Sequence, residues 1–468
     1  MSIKNSYREL TGLSIIDIDP QGRGVAFHNG RKVLVENSLP GEQVDVKIVK
    51  KDKGVLIGRP YHFEKQSSAR VNAPCIHFGI CGGCKWQNIS YTMQLECKSR
   101  FVSEAFKSLV GIPLPEQQPI IAAENTYYYR NKMEFSFGNK RWLTADEIPH
   151  RDNIASMNGL GLHPPGAFDK VLDIKECLLQ PEPSNSIRLS MKQFAEEQGY
   201  EFFDLRDQVG FLRNLTIRTS STGEVLVIVS FFREETKERV KVLEFLKSKF
   251  PQISSLHYVI NSSKNDIITN ETVVHYHGAA FITERMGDTV FKIGPKSFYQ
   301  TNSVQAKKLY DTALELAALK GDEVVYDLYT GIGSIALYAA KHCQKVIGIE
   351  YVPEAIADAW ENARLNGIEN AEFMAGDMKD LLTPEFFLNR PRPDLIITDP
   401  PRAGMHPSVT QTLLAIAAPR IVYVSCNPLT QARDLKALCS KYQVKAIQPV
   451  DMFPQTYHVE NVVLLQLK

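Results

Sequence analysis

Apolar and polar residues alternate most strictly near the amino terminus, where Val44, Val46 and Ile48 interleave with Asp45 and Lys47. A period of two turns one face into a core and the other into solvent. Residues from about 12 to 60, through "PQGRGVAF" and "RKVLVENSLPGEQVDVKIVKKDKGVLIG", therefore predict short strands around a small barrel. A helical stretch follows from about Ser90 to Val110, and residues from about 126 to 285 return to strands in "YYYRNKMEFSFG", "LTIRTSSTGEVLVIVSFF" and "SLHYVINSS". From about 287 onward helices and strands alternate: "AKKLYDTALELAAL", "EVVYDLYTGIG", "KVIGIE", "PEAIADAWENARLNG", "PDLIITDPPR", "IVYVSCNP". That rhythm predicts an α/β domain with a doubly wound, mainly parallel sheet, whose ligands gather at the carboxyl ends of its strands. The expected division is a small barrel over 1–65, a mainly β central domain over 66–285 and a Rossmann-like domain over 286–468.

Composition narrows the class without changing that outline. A chain of 468 residues suits two or three domains, and 44% hydrophobic with 23% charged residues is ordinary for a globular protein. The start, "MSIKNSYREL", lacks a signal peptide's apolar core, and no apolar run approaches the roughly 18 residues of a membrane helix, so a cytoplasmic location and no membrane partner are expected. Eight cysteines in a reducing compartment should be free, catalytic or metal-bound. A net charge of +1 leaves nucleic-acid binding to local patches. The run Lys47, Lys50, Lys51, Lys53, Arg59, Lys65 and Arg70, against only Asp52 and Glu64, is either a solvated face or a phosphate contact. His275 and His277 share a strand face without further ligands and read as surface residues.

The candidate chemistry lies at four strand ends. "VVYDLYTGIGSIAL" is a strand, a glycine turn and a helix, and Gly331 and Gly333 admit a ligand close to the backbone. Glu350 ends the next strand, where an acid can take both ribose hydroxyls; Asp377 and Asp399 end the two after it. The glycine turn also fits a dinucleotide fingerprint, but a dehydrogenase has no use for Asp399-Pro400-Pro401, so S-adenosylmethionine is the expected cofactor. The residue after Asp-Pro-Pro is Arg402 and not a stacking aromatic, which counts against methylation of an exocyclic amino group. One strand later comes Cys426. C5 of uracil is a poor nucleophile until a thiolate adds to C6, and the proton left on C5 afterwards requires a general base, for which Glu460 stands ahead of the last strand.

Five motifs, "SFYQTNS", "DLYTGIGSIAL", "DPPRAGMHPSV", "VYVSCNP" and "FPQTYHVE", resemble in order and context the RNA (uracil-5-)-methyltransferase family of tRNA and 23S rRNA enzymes. The amino-terminal stretch with "LPGE" is similar to the TRAM module, an OB-like barrel of RNA-modifying enzymes. The resemblance implies Cys426 as nucleophile and Glu460 as base, with Gln300, Tyr329, Glu350 and Asp399 lining the S-adenosylmethionine site and Ser334 and Asp377 as lesser candidates. Tyr329 and Tyr299 stand where phenylalanine is common in the family; Phe298 is a base-stacking candidate, and Arg130 and Lys132 could meet phosphates.

The spacing Cys75-x5-Cys81-x2-Cys84 suits an iron–sulfur cluster of four cysteines better than a zinc site, and leaves Cys97 and Cys177 open as the fourth. Resemblance to the 23S rRNA branch, which draws its fourth ligand from a segment like "DIKECLLQ", points to Cys177 and a [4Fe–4S] cluster. Cys343 and Cys439 lack partners and read as isolated thiols. The tRNA branch generally lacks both cluster and barrel, so the resemblance implies a monomer methylating a uridine of 23S rRNA, with RNA and not DNA as partner. The alternatives are a tRNA uracil-5-methyltransferase or a noncatalytic RNA-binding assembly factor.

Overall fold

The computed structural model describes residues 9–383 and 385–468, so the first eight residues of the expected barrel lie outside the described part. Six strands form the amino-terminal sheet in the order Glu9–Ser14, Gln43–Asp52, Val55–Lys65, Arg31–Val35, Gly24–His28, Asp17–Ile18. Val44 and Val46 are buried in a core with Leu10, Leu13, Ala26, Val33 and Val35, while Lys47 is exposed, as the alternation requires. Lys53 and Gly54 join the two longest strands at φ of 45° and 88°, the twist that suits a two-residue hairpin turn. The basic run divides here. Arg70 bonds the fully buried Glu42 carboxylate at 2.5 Å and Arg59 pairs with Glu36 at 2.7 Å, so both arginines staple the barrel, whereas Lys50, Lys51, Lys53 and Lys65 face outward.

The central sheet has seven strands in the order Val273–Gly278, Ile253–Ile260, Val225–Phe231, Leu212–Thr219, Lys132–Gly138, Gly159–Leu162, Leu172–Asp173. Two helices that the strand-dominated reading omits, Ser184–Glu197 and Thr236–Lys249, cover one face. The second is a crossover, because Val225–Phe231 and Ile253–Ile260 run parallel and cannot be joined by a tight turn. Leu226, Ile228 and Val259, on the other face, join the core cluster of the carboxy-terminal domain.

That domain contains β1 (Val324–Leu328), β2 (Lys345–Glu350), β3 (Ala371–Ala375), β4 (Leu395–Thr398), β5 (Arg420–Ser425), β6 (Tyr442–Val450) and β7 (Glu460–Leu467), in the order β3-β2-β1-β4-β5-β7-β6. The first five run parallel and β7 runs antiparallel to both its neighbours. The start of β7 therefore shares a rim with the carboxyl ends of β1 to β5. Two elements cross the division expected from sequence. Helix Tyr91–Phe106 gives Val102, Ala105 and Phe106 to the core of the carboxy-terminal sheet. The hairpin Ile282–Met286/Thr289–Ile293 straddles position 285/286, and its Val290 and Lys292 amides donate to Asn366 Oδ1 and Asn362 Oδ1 at 2.8 and 2.7 Å. Periodicity marks these segments as helix and strand but cannot say which sheet they join. No helix among the described residues is long and apolar enough to cross a membrane.

Candidate active site

Asp377 follows β3, Glu350 ends β2, Tyr329 follows β1, Asp399 follows β4, Cys426 follows β5 and Glu460 starts β7, so the topology gathers all six at one rim. Asp327, fully buried in β1, closes the glycine turn: its Oδ2 accepts from Thr330 Oγ1 at 2.5 Å and from the Ala336 amide at 3.0 Å. Burial raises its pKa to about 7, and its Oδ1 is buried without a partner. Tyr329 adopts φ of 64°, a strained conformation of the kind that collects at ligand sites. Gly331, at φ of 55°, faces open space where a Cβ would stand. Glu350 accepts the Gly331 and Val352 amides at 3.2 and 3.1 Å, which aims its carboxylate at the turn. A carboxylate has about four lone-pair sites, so capacity remains for a ribose diol. The Tyr310 hydroxyl is 3.2 Å from Ser334 Oγ and also bonds the Gln300 side chain, bringing both residues to the rim. Asp377 is already engaged, capping Met378–Leu381 through the Lys379 amide at 3.2 Å and pairing with Lys379 Nζ at 3.1 Å.

Across the β5–β7 step Ser425 pairs with Asn461, and on the far side of β7 Val450 pairs with Glu460, which puts Cys426 and Glu460 side by side. The thiol's loop is fixed locally: Asn427 caps helix Pro428–Leu438, its amide donates to Ser425 Oγ at 3.2 Å, and its Nδ2 donates to the Arg402 carbonyl at 3.1 Å. The strand end bearing Cys426 is thereby tied to Asp-Pro-Pro-Arg. Burial raises the Cys426 thiol to about 12, Glu460 and Asp399 push the same way, and Arg402 opposes them. Burial and Asp399 raise Glu460 well above the usual carboxylate range, again against Arg402, and burial raises Asp399 to about 7. Asp399 opposes ionisation of both Glu460 and Cys426, so the three acids do not all ionise together in this partly dry rim. Burial, with Arg402, Lys98 and Arg130 nearby, lowers His458 to about 4, so its ring is neutral. The sequence reading weighs Arg402 only as a missing aromatic and gives His458 no role, although both lie within the motifs.

Residues 207–468 match the sequence model of the family described as tRNA (uracil-5-)-methyltransferase, and residues 11–60 match the TRAM domain. The chain belongs to the tRNA (uracil-5-)-methyltransferase family. A Porphyromonas gingivalis protein named as an RNA methyltransferase is 50% identical over 97% of this chain and 99% of its own length. A Bacteroides thetaiotaomicron protein of the same name is 50% identical over 96% of this chain and 99% of its own. Among solved structures, the Pyrococcus abyssi tRNA (uracil-54, C5)-methyltransferase in complex with S-adenosyl-L-homocysteine superimposes with a TM-score of 0.76 at 28% identity, covering 97% of this chain and 100% of that one. The protein is thus an S-adenosylmethionine-dependent RNA methyltransferase of the uracil-5 family, with a TRAM domain at its amino terminus.

In this uracil-5-methyltransferase, Cys75, Cys81, Cys84 and Cys177 all line one cavity, whose walls include Phe78, Met133 and Leu162. The two cysteine-bearing segments are pinned together where the Lys175 amide donates to His77 Nε2 at 2.9 Å. Cys97 is elsewhere, buried in helix Tyr91–Phe106 among Ile18, Leu39 and Trp86. Burial raises Cys81 to about 11 and Cys84 to about 12. Among the described residues no group of three or more His, Cys, Asp or Glu side chains is gathered to hold a metal ion; the four thiols ring the cavity instead. Phe298 is 72% exposed beside buried Tyr299, Arg130 Nε donates to the Lys132 carbonyl at 3.0 Å, and His275 and His277 are exposed. Cys343 and Cys439 are buried.

Proposed function

We propose that this chain is a cytosolic enzyme that methylates C5 of a uridine in 23S rRNA through a covalent adduct. The Cys426 thiolate, formed by loss of the thiol proton to solvent, bonds through sulfur to C6 of the uracil, and the C5=C6 electron pair moves into an enolate across C5, C4 and O4. S-adenosylmethionine supplies the methyl group that C5 takes up. C5 then holds both that group and its original hydrogen. Glu460 accepts this hydrogen as a proton, the released electron pair re-forms C5=C6, and the C6–S bond breaks to return the Cys426 thiolate. The observation that carries this reading is the placing of Cys426 beside Glu460 at the rim that bears the glycine turn. Glu350, Tyr329, Gln300 and Asp399 would hold S-adenosylmethionine, with Ser334 beside them. Asp377 is the weakest member of the set, because its own cap and ion pair occupy it.

Duplex RNA hides its bases, so the target is a loop uridine flipped into the site, with exposed Phe298 available to stack on it. The assignment to 23S rRNA rests on the resemblance of the cysteine segment to that branch. The barrel does not help decide, since the Pyrococcus abyssi tRNA (uracil-54, C5)-methyltransferase covers 97% of this chain, and that match favours tRNA as the second reading. Mapping 5-methyluridine in a deletion strain separates them. Loss from 23S rRNA with tRNA unchanged is expected; loss from tRNA alone would transfer the assignment, and no loss from either would end it.

Cys75, Cys81, Cys84 and Cys177 would hold a [4Fe–4S] cluster. Each cysteine of such a cluster binds its own iron, so four thiols spread around one apolar cavity fit it better than they fit a single ion. Anaerobically purified protein should contain iron and acid-labile sulfide. Cys177→Ser should lose both and Cys97→Ser neither. Zinc without iron, or dependence on Cys97, would overturn this ligand set.

A further inference from the structure

Residues 451–459 leave the sheet between β6 and β7, and the turn five residues before Glu460 is held from the other half of the chain. The Lys85 and Trp86 amides both donate to the Gln455 carbonyl, at 2.8 and 3.0 Å. Gln94 Oε1 accepts the Gln455 amide at 2.9 Å, and Gln94 Nε2 donates to Gln455 Oε1 at 3.1 Å and to the carbonyls of Trp86 and Ile89 at 3.0 Å each. Gln94 is 1% exposed and Gln455 4%, so water scarcely competes for these bonds. Gln455 stands at φ of 66°, a conformation that a residue with a side chain keeps only where its surroundings impose it. A second anchor lies four residues upstream, where fully buried Lys98 and Asp451 pair at 2.6 Å and the Tyr91 hydroxyl bonds Asp451 at 2.8 Å.

These contacts join two places that the function treats separately. Lys85 directly follows Cys84, which lines the cysteine cavity, and Gln455 lies on the segment that leads into Glu460. Among the described residues no hydrogen bond holds the Glu460 carboxyl itself, so its aim depends on the backbone on either side. One side is the β6–β7 ladder at Val450; the other is this clamped turn.

We propose that Gln94 and the Lys85–Trp86 backbone that follows the cysteine-bearing loop are a positioning element for Glu460, acting through Gln455, so that this clamp governs how fast the methylated adduct is released. The inference rests on the reading of Glu460 as the base. The nucleophile, just past β5, sits in a loop fixed by Ser425, Asn427 and Arg402 and not by this turn, which predicts a selective defect: methyl transfer proceeds and proton removal lags.

The test is single-turnover methylation with radiolabelled S-adenosylmethionine and an RNA substrate, using the full-length holoprotein. Gln94→Met keeps the length of the side chain and its fit to a helix but removes all four of its hydrogen bonds. Labelled protein–RNA adduct should accumulate, because a small misplacement of a catalytic group slows its step roughly ten- to a hundredfold. S-adenosylmethionine affinity and the rate of adduct formation should stay at the wild-type level. Gln455→Asn, which tolerates positive φ and keeps the backbone bonds, should accumulate adduct to a lesser degree, and it decides the matter if Gln94→Met does not fold. Adduct at the wild-type level in the folded variants, or adduct formation slowed as much as turnover, would overturn the proposal. Glu460→Gln, run alongside, separates the two readings. Adduct in that variant but in neither glutamine variant rejects the positioning role alone, and its absence there rejects Glu460 as base and the proposal with it.

Discussion

Cys426→Ala is expected to abolish methylation while leaving S-adenosylmethionine affinity unchanged. Alanine removes the only atom that bonds to C6, so the enolate that makes C5 nucleophilic never forms. Loss of a covalent nucleophile should lower turnover by at least about a thousandfold. The residues proposed to hold the cofactor, Tyr329, Glu350 and the glycine turn, lie at β1 and β2, while the thiol follows β5, so calorimetry should report wild-type binding. The field around the thiol adds a pH signature. Burial holds Cys426 at about 12, so the thiol is protonated at neutral pH and the thiolate fraction grows with pH below that value. Adduct formation by the wild-type enzyme should accelerate between about pH 6 and pH 9, because only the thiolate attacks. A rate that is flat or falls across this range would mean that the thiolate is already formed. Methylation by Cys426→Ala would remove the thiol from the mechanism.

The rim was legible from sequence because parallel α/β sheets put strand ends together whatever the loops do. Once "VVYDLYTGIG", "KVIGIE", "PDLIITDPPR" and "IVYVSCNP" are read as successive strands, Tyr329, Glu350, Asp399 and Cys426 must share an edge. Glu460 reaches it for another reason: β7 runs antiparallel, so its start lies beside the end of β5, where Ser425 pairs with Asn461. Side-chain charge was less legible. Arg402 influences Cys426, Glu460 and His458 together, a convergence of three separate segments that no local pattern encodes. The same holds for the barrel, where spacing groups Arg59 and Arg70 with the lysines although Glu36 and Glu42 bind them. Lys98 and Asp451 lie 353 positions apart and are each invisible as an ion pair until the fold buries them. Burial makes that contact matter, since breaking a buried pair by removing one partner costs about 3–5 kcal/mol.

Glu460→Gln should separate the two halves of the reaction. The steps that need Cys426 come first: sulfur adds to C6 and C5 takes the methyl group. Only then does a proton have to leave C5. Glutamine keeps the size and polarity of glutamate but cannot accept that proton, so the variant should transfer one methyl group and stop with the RNA bonded to Cys426. Burial and the neighbouring Asp399 raise Glu460 above the usual carboxylate range, against Arg402, which makes its carboxylate a stronger base than a surface acid, and an amide has no such basicity. On a denaturing gel, label from S-adenosylmethionine should then migrate with a protein–RNA adduct in near-stoichiometric yield. Cys426→Ala should give no adduct, and the double variant should behave as Cys426→Ala does, because two groups acting in sequence on one intermediate are not additive. Normal turnover by Glu460→Gln would show that another group takes the proton. His458, two residues away, would then be the next to test, because its neutral ring has an unprotonated nitrogen; its pKa, lowered to about 4, would make it a weak base and the step slow.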